Sequence, residues 1–169
     1  MNKQLLVLRH GKSDWDFNVR DFDRPLKKRG KQAAQRMGLW LQQQDLVPDY
    51  IISSPAERAK TTAEKLTEAM DLSANLVHHD SRLYAAELDD LIAVLSDCPQ
   101  QAKRVLLVAH NPGLEELIEF LHKDSLQIPE DGKLLPTATL AVLAMPDDWY
   151  SLSKNCAEVL SITRPADLP

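Results

Sequence analysis

The sequence predicts a three-layer α/β/α domain with a mostly parallel central sheet, spanning residues 1–169 as a single domain. Three observations predict this fold. Short apolar runs alternate with segments whose apolar residues recur every three or four positions, as in amphipathic helices. Two of the runs, at residues 5–8 and 104–109, are almost continuously apolar, which is typical of strands buried on both faces. The chain is also long enough to bury a substantial core.

The first half of the chain has clear start and stop signals. Gly11 follows the first apolar run and permits a sharp turn, and residues 12–25 are polar and irregular, as in a surface loop. Ser53-Ser54-Pro55 is a signal for the start of a helix. The predicted elements of this half are strands at 5–8 and 50–52, a helix whose apolar stripe covers 33–41, and a helix that runs to about residue 70.

The second half of the chain continues the alternation of strands and helices. Its clearest strand, at 104–109, ends in His110, and Pro112 and Gly113 open the helix that follows. The other predicted elements are a short strand at 76–77, a helix at 87–95, a loop at 123–136, and strands at 138–143 and 157–162 that form a hairpin through Pro146-Asp147-Asp148.

Composition and charge exclude several classes of protein. The chain has 44% hydrophobic and 27% charged residues, which is ordinary for a globular protein. Its net charge of −5 argues against a general binder of nucleic acids or membrane surfaces, and no apolar run approaches the ~20 residues of a membrane span. We expect no signal peptide. We therefore expect a cytoplasmic protein in which Cys98 and Cys156 are free thiols, with a monomer as the default state.

Chemically useful side chains follow three of the predicted strands. Arg9 and His10 end the first strand, and His110 ends the strand at 104–109. Arg58 lies on the first turn of the helix after the second strand. The carboxyl ends of parallel strands meet at one edge of a sheet, where open α/β sheets bind their ligands. If the three strands are neighbours, that edge joins two imidazoles, two guanidiniums and a helix N-terminus, a set suited to phosphate.

Each of these signals has an ordinary structural explanation when it is taken alone. A histidine after a strand often serves only as a structural hydrogen-bonding residue, Arg9 could be a surface cation, and many helices begin with serine and proline. Trp15 and Tyr84 either line the mouth of the pocket or pack in the core. The conjunction of the three strand ends is what favours an anion site.

Two motifs give the chain a resemblance to a known family. Leu8-Arg9-His10-Gly11-Lys12-Ser13-Asp14-Trp15 resembles the signature of the histidine phosphatase superfamily, which has the phosphoglycerate mutase-like fold. Residues 53–63, with Arg58, are similar to its second motif, and His110 falls where its second histidine is expected. The short chain, Asp23-Arg24-Pro25-Leu26 and His110-Asn111-Pro112-Gly113 are similar to the SixA-type phosphohistidine phosphatases.

The resemblance implies a phosphoryl-transfer mechanism. His10 would attack phosphorus through a ring nitrogen and become transiently phosphorylated, and it must be neutral to do so. Arg9 and Arg58 nearby would lower its pKa. Arg9, Arg58 and His110 would hold the phosphoryl oxygens, with Ser13 as a further substrate-binding residue. Water would then release phosphate, and neither a metal ion nor a cofactor is required.

Two positions depart from the wider superfamily. Lys12 stands where many members have Glu, and Asp16 stands where many mutase-like members have an Asn that contacts phosphate. A carboxylate ~4 Å from a phosphate would cost roughly what one arginine contributes, so we assign Asp16 no phosphate role. Lys12 has the right sign of charge, although a solvated loop lysine is the simpler interpretation.

The general acid is the part of the mechanism that the sequence leaves open. Some members of the superfamily use an Asp directly after the second histidine, and Asn111 occupies that place here. Others use a Glu after the third strand, which makes Glu87 the candidate. Asp89 and Asp90 lie in the same region, and a helix N-terminus attracts carboxylates in any case. An imidazole leaving group demands less of an acid than an alkoxide does, so this ambiguity favours a phosphoramidate substrate.

We therefore expect a metal-independent phosphatase that acts on phosphohistidine in a protein. A phosphatase of small phosphate esters is the alternative, and a mutase is less favoured because no long insertion that could form a lid is obvious. A non-catalytic phosphate-binding or adaptor protein on the same fold would be a different class, and the joint presence of Arg9, His10, Arg58 and His110 argues against it. The expected partners are phosphorylated proteins or small phosphorylated molecules, not nucleic acids or membranes.

Overall fold

A computed structural model describes residues 2–169, and a six-stranded sheet forms its centre. The strands, in chain order, are β1 (Lys3–Arg9), β2 (Tyr50–Ser53), β3 (Val77–His79), β4 (Arg104–Ala109), β5 (Leu140–Met145) and β6 (Glu158–Thr163). They lie in the order β3-β2-β4-β1-β5-β6. The pairs from β3 to β1 are parallel, whereas β5 is antiparallel to β1 and to β6. The sheet is therefore mixed, with four mutually parallel strands on one side.

Four helices cover the two faces of the sheet. They are α1 (Lys28–Gln43), α2 (Glu57–Ala69), α3 (Leu88–Ser96) and α4 (Gly113–Leu121). Leu6 and Leu8 of β1 pack in the core with α1 and α2, whereas Leu5 and Val7 pack on the opposite side with α3 and α4. Because alternate residues of β1 enter two cores, its central residues 5–8 are all apolar. The predicted three layers are confirmed. Between residues 2 and 169, no helix is both long enough and apolar enough to cross a membrane.

The elements differ from the predicted ones only locally. The strand at 104–109 has the predicted bounds. β3 begins at Val77, because Leu76 lies in a short 3-10 helix, Ala74–Leu76. β5 and β6 are antiparallel neighbours, but residues 146–157 connect them and contain another 3-10 helix, Trp149–Ser151. The fully buried side chain of Trp149 anchors this longer connection, which is why it is not a tight hairpin.

The topology brings the predicted site together. β2, β4 and β1 are parallel neighbours, so the residues that follow them share one edge of the sheet. His10, Ser54 and His110 come directly after these three strands. The condition on which the predicted anion site depended is therefore met.

Candidate active site

The turn after β1 presents His10 at the edge of the sheet. Gly11 has no room for a side chain, because a Cβ atom there would lie 2.8 Å from the carbonyl oxygen of Gly30. A Cβ atom on Gly30 would in turn lie 2.5 Å from the carbonyl oxygen of Lys12. The N–H of Gly11 donates to Oγ1 of Thr62 over 2.9 Å. The first turn of α1 and the middle of α2 therefore hold this turn in place.

His10 is held as a neutral imidazole. Only 7% of the residue is exposed, and its Nδ1 lies 2.7 Å from the carbonyl oxygen of Gly11. Because a carbonyl oxygen only accepts, Nδ1 carries the proton and Nε2 keeps a free lone pair. Burial lowers the pKa of His10 to about 4, and the positive charges of Arg58 and Arg9 act in the same direction. At neutral pH the ring is therefore an uncharged nucleophile or base.

His110 lies beside His10, with the two ring centroids 5.2 Å apart and the planes tilted by 54°. Its Nε2 lies 2.8 Å from Oγ of Ser54, and the N–H of Ala56 donates to the same Oγ atom. Burial lowers the pKa of His110 to about 3, and the neighbouring His10 and Arg58 add to this. Its Nδ1 is buried and has no hydrogen-bond partner in the described part of the chain. His110 is therefore a second neutral ring in the site.

Arg9 and Arg58 bring positive charge to the same site. Arg58 lies on the first turn of α2 and is 7% exposed. Arg9 ends β1, donates from Nη1 to the carbonyl oxygen of Leu135 over 3.3 Å, and has its pKa lowered by burial. The Nε atoms of both arginines are buried without a partner among residues 2–169. Because unpaired buried donors are costly, this cluster is suited to an anion that offers several acceptor atoms.

Asp21 belongs to this site, although sequence reasoning assigned it no role. Its carboxylate accepts from Arg24 over 2.6 Å, from Arg58 over 3.1 Å and from the Tyr84 hydroxyl over 2.6 Å. Its backbone carbonyl accepts a second bond from Arg58 over 2.7 Å. The hydrogen bond from Tyr84, with those from the two guanidiniums, holds the pKa of Asp21 well below its usual range. Asp21 therefore fixes two guanidiniums that would otherwise repel each other.

Arg24 is the second residue that the sequence reasoning missed. It is 9% exposed, and its positive charge contributes to the lowered pKa of His10. Its Nε donates to Oγ of Ser13 over 3.3 Å, so the hydroxyl of the predicted binding residue Ser13 holds this guanidinium. Arg24 lies in the segment Asp23-Arg24-Pro25-Leu26, which sequence reasoning used only as part of the family resemblance.

The two aromatic residues in question lie at the mouth of the site. Trp15 is 72% exposed, and the guanidinium of Arg24 lies over its ring, 3.6 Å from the centroid. Tyr84 is half-buried and meets the ring of His110 edge-on, with the centroids 5.8 Å apart. Neither residue packs in one of the two cores. Core packing of Trp15 and Tyr84 is therefore wrong, and each contacts a residue of the site, Arg24 or His110.

Asn111 holds a loop rather than a reacting group. Its Nδ2 donates to Glu115 over 3.1 Å and to the carbonyl oxygen of Leu135 over 2.9 Å. The N–H of Leu135 donates to the same Glu115 carboxylate over 2.9 Å. The N–H of Ala138 lies 3.0 Å from the carbonyl oxygen of His10. The segment from 135 to 138 is thereby fastened against the turn after β1.

Three other residues considered from the sequence lie outside this network. Glu87 is exposed where α3 begins, and its N–H donates to Asp90 over 2.9 Å. Lys12 and Asp16 are exposed in the loop after β1. In the part of the chain that the structure describes, no side chain of these three is hydrogen-bonded to His10 or His110. Among the same described residues, no group of three or more His, Cys, Asp or Glu side chains could hold a metal ion.

Known sequences show what family this site belongs to. The sequence model of the histidine phosphatase superfamily (branch 1) matches residues 5–91, which include Arg9, His10 and Arg58. An uncharacterized protein of Mycobacterium tuberculosis (strain H37Rv) is 27% identical over 94% of this chain and 99% of its own length. An uncharacterized chloroplastic protein of Arabidopsis thaliana is 29% identical over 76% of this chain, which matches 63% of that protein's length.

Solved structures of SixA proteins are similar over nearly the whole chain. One from Nakamurella multipartitia, named as a candidate phosphohistidine phosphatase SixA, has a TM-score of 0.82 at 28% identity and covers 96% of both chains. The protein histidine phosphatase SixA complexed with tungstate has a TM-score of 0.81 at 20% identity, covering 97% of this chain and 98% of its own. With the family match over half of its length, the chain belongs to the histidine phosphatase superfamily (branch 1) and has the fold of its SixA members.

Proposed function

We propose that the chain is a metal-independent phosphatase that removes the phosphoryl group from phosphohistidine in a protein and carries it transiently on His10. The observation that carries this proposal is the state of His10, a neutral ring with Nδ1 bonded to Gly11 and Nε2 free. Two guanidiniums with unpartnered Nε atoms lie in the same site. A neutral nucleophile beside fixed positive charge is what phosphoryl transfer needs.

The first step transfers the phosphoryl group to His10. The lone pair on Nε2 forms a bond to phosphorus, and the bond from phosphorus to the leaving nitrogen of the substrate breaks. The electron pair of the broken bond goes to the leaving imidazole, which takes up a proton. The Nδ1 proton of His10 stays in place, and the carbonyl oxygen of Gly11 stabilises the imidazolium that the attack creates.

The three peripheral oxygens of the phosphoryl group would be held by Arg9, Arg58 and His110. In residues 2–169, Nε of Arg9, Nε of Arg58 and Nδ1 of His110 are buried and have no hydrogen-bond partner. When Ser54 donates its hydroxyl proton to Nε2 of His110, Nδ1 of that ring carries a proton and donates to an oxygen. The hydroxyl of Ser13 accepts a hydrogen bond from Nε of Arg24 and so holds the Arg24 guanidinium. Ser13 therefore acts on the substrate indirectly, through Arg24.

The second step returns His10 to its resting state. A water molecule attacks phosphorus, the new P–O bond forms, and the bond from phosphorus to Nε2 breaks. The electron pair returns to Nε2, and the proton from water leaves with the phosphate or to solvent. No metal ion or cofactor enters either step, because Arg9, Arg58 and Arg24 supply the positive charge that stabilises the transferring group.

Glu87 is the proposed proton donor to the leaving group. Its neighbour Ala86 packs against the helix that follows His110, since a Cβ atom on Gly113 would lie 2.7 Å from the carbonyl oxygen of Ala86. Glu87 is exposed there, and its carboxylate takes part in the capping box at the start of α3. An imidazole leaving group needs little assistance from an acid, so an exposed carboxyl group suffices.

The names of the similar proteins favour a protein substrate. The SixA structures, described as protein histidine or phosphohistidine phosphatases, have TM-scores of 0.82 and 0.81. The alternative, a small phosphate ester, rests on a mycobacterial glucosyl-3-phosphoglycerate phosphatase with a TM-score of 0.61 and a Bifidobacterium longum phosphoglycerate mutase that matches 49% of this chain. The free thiols of Cys98 and Cys156 support a cytoplasmic location, and a monomeric single domain completes the proposal.

The test compares phosphate release from a histidine-phosphorylated protein with release from a panel of phosphorylated metabolites, with EDTA present. We expect kcat/KM for the phosphoprotein to exceed that for every ester by about tenfold or more, with no effect of EDTA. His10→Asn is the control and should lower turnover by about 1,000-fold. A higher kcat/KM for an ester would assign the small-molecule alternative, and no turnover of any substrate would contradict an enzyme.

A further inference from the structure

Resting on the function proposed above, we propose that Trp15, Phe17 and Val19 form a docking surface for the substrate protein that carries the phosphohistidine. The three side chains are 72%, 56% and 48% exposed, and they alternate along the loop between β1 and α1. Large exposed apolar side chains elsewhere in residues 2–169 are dispersed, such as Leu39 on α1 and Leu160 on β6. Three exposed apolar side chains within five residues of the chain, unlike single ones, are typical of an interaction site.

Arg24 joins this docking surface to the candidate active site. Its guanidinium lies 3.6 Å from the centroid of the Trp15 ring, and its Nη1 donates to Asp21 over 2.6 Å. Asp21 also accepts from Arg58 over 3.1 Å. A protein that covers Trp15 therefore lies over the entrance to the phosphoryl site. A small phosphorylated metabolite would not contact exposed apolar side chains beyond that entrance.

The loop that carries the docking surface is fastened at both ends. Ser13 and Leu26 pair as an isolated antiparallel bridge. Next to that bridge, the N–H of Asp14 donates to the carbonyl oxygen of Pro25 over 2.8 Å. A surface that is already ordered binds a partner without the entropy loss of ordering a loop.

The chain segments on both sides of the docking surface, Lys12 before it and the start of α1 after it, carry positive charge that indicates the chemistry of the partner. Residues 12–31 contain seven Lys or Arg and four Asp, a net charge of +3 in a chain whose net charge is −5. Lys12 and Arg29 line a cavity of about 310 Å³ at the start of α1. Complementary charge steers and orients a protein partner. The surface therefore fits a protein whose phosphohistidine is flanked by apolar side chains, with carboxylates around them.

The experiment presents one phosphoramidate in two settings. The probes are a small acidic histidine-phosphotransfer protein phosphorylated on histidine, and phosphohistidine as the free amino acid. The variant F17S/V19S removes apolar surface and leaves Trp15 over Arg24. The matched control Y150S/L39S removes an aromatic and an aliphatic side chain that are 66% and 48% exposed elsewhere. Thermal unfolding of each variant reports whether the fold is retained.

We expect F17S/V19S to lower kcat/KM for the phosphoprotein by about tenfold or more, mainly through KM, because apolar contact is lost on binding. Turnover of free phosphohistidine should stay within about twofold of wild type, and the control pair should change neither substrate. In the wild-type protein, kcat/KM for the phosphoprotein should exceed that for free phosphohistidine by about tenfold.

Any other outcome overturns the docking surface, the protein-substrate function or both. No loss on the phosphoprotein, or an equal loss on both probes, overturns the docking surface and leaves the proposed function intact. A wild-type kcat/KM that is no higher for the phosphoprotein than for free phosphohistidine overturns the protein-substrate function and the docking surface together. A third experiment measures whether the protein sediments with anionic phospholipid vesicles. Binding that F17S/V19S abolishes would assign the surface to a membrane and overturn the proposal.

Discussion

The Nδ1 atom of His10 lies 2.7 Å from the carbonyl oxygen of Gly11, the next residue in the chain. This contact fixes the tautomer in which Nε2 is unprotonated. Burial keeps the ring neutral by lowering its pKa to about 4. A backbone carbonyl in the turn that ends β1 therefore orients the candidate nucleophile, and no carboxylate in residues 2–169 is hydrogen-bonded to the ring.

The tautomer and the low pKa can be observed by NMR. The ¹H–¹⁵N correlations of the His10 ring should report a neutral ring with a proton on Nδ1, and its titration midpoint should lie at about pH 4. The chain unfolded in guanidinium supplies the ordinary midpoint of about 6.5. Because the unfolded chain binds more protons between these values, the free energy of unfolding should fall as the pH drops from about 6.5 to 4. A midpoint near 6.5 in the folded protein would contradict this account.

Thr62 should be a positioning residue for the turn. Its Oγ1 accepts from the N–H of Gly11 over 2.9 Å and donates to the carbonyl oxygen of Arg58 over 2.7 Å. Thr62→Val keeps the shape but leaves the buried N–H of Gly11 without a partner, so we expect a loss of about 1–3 kcal/mol in the free energy of unfolding. Urea denaturation measures this loss, and kcat should fall because the turn carries His10.

Two variants control for side effects of the Thr62 substitution. Thr62→Ser keeps the hydroxyl and should restore most of both quantities. Thr67→Val removes a buried hydroxyl from the same helix, where Thr67 donates only to the carbonyl oxygen of Glu64 over 2.9 Å. It should leave kcat unchanged, and an equal fall in kcat for Thr67→Val would show that α2, and not the Gly11 contact, is responsible.

The strands that carry the strongest sequence signal are those with two buried faces. β1 and β4 were predictable because their alternate residues enter two cores. β3 has only Val77 buried, and β6 lies at the edge of the sheet with no buried residue, so their bounds shifted by one residue or more. The connection from β5 to β6 could not be predicted, since it depends on Trp149 packing into a core formed by distant segments.

The candidate site was predictable where it lies at strand ends and not where it depends on loop contacts. His10 and His110 follow strands whose parallel pairing places them side by side. Asp21, in contrast, meets Arg58 from 37 positions away and Tyr84 from 63 positions away. No spacing within the polar loop indicates such partners. Three further aspartates in the same loop looked equivalent in the sequence, and only the fold distinguishes Asp21 from them.

Asp21→Asn should weaken the site without unfolding the chain. Without the carboxylate, Arg24 and Arg58 lose the ion pairs that hold them at 2.6 and 3.1 Å. We therefore expect steady-state kcat/KM to fall by about tenfold. Asp23→Asn is the matched control, because Asp23 lies in the same turn but pairs with the exposed Arg20 and should change kcat/KM by less than about twofold. Similar losses in the two variants would remove the special role of Asp21.

Substrates with different leaving groups can distinguish proton donation by Glu87 from its structural role at the start of α3. A general acid contributes about 100-fold or more when the leaving group is an alkoxide. We expect Glu87→Gln to slow hydrolysis of an alkyl phosphate by about that factor and to slow phosphohistidine hydrolysis by less than about threefold. Asp90→Asn, which alters the same helix start, controls for local structure. Equal effects on both substrates would argue against proton donation by Glu87.

The most direct test of the central claim is to trap the phosphoryl group on the enzyme. The protein is mixed with ³²P-labelled phosphoramidate, quenched in base within milliseconds, and the label is mapped by peptide mass spectrometry. We expect a base-stable, acid-labile phosphoryl group on His10 that is absent from His10→Asn and decays at the rate of steady-state turnover. Label on another residue, or full turnover by His10→Asn, would contradict it.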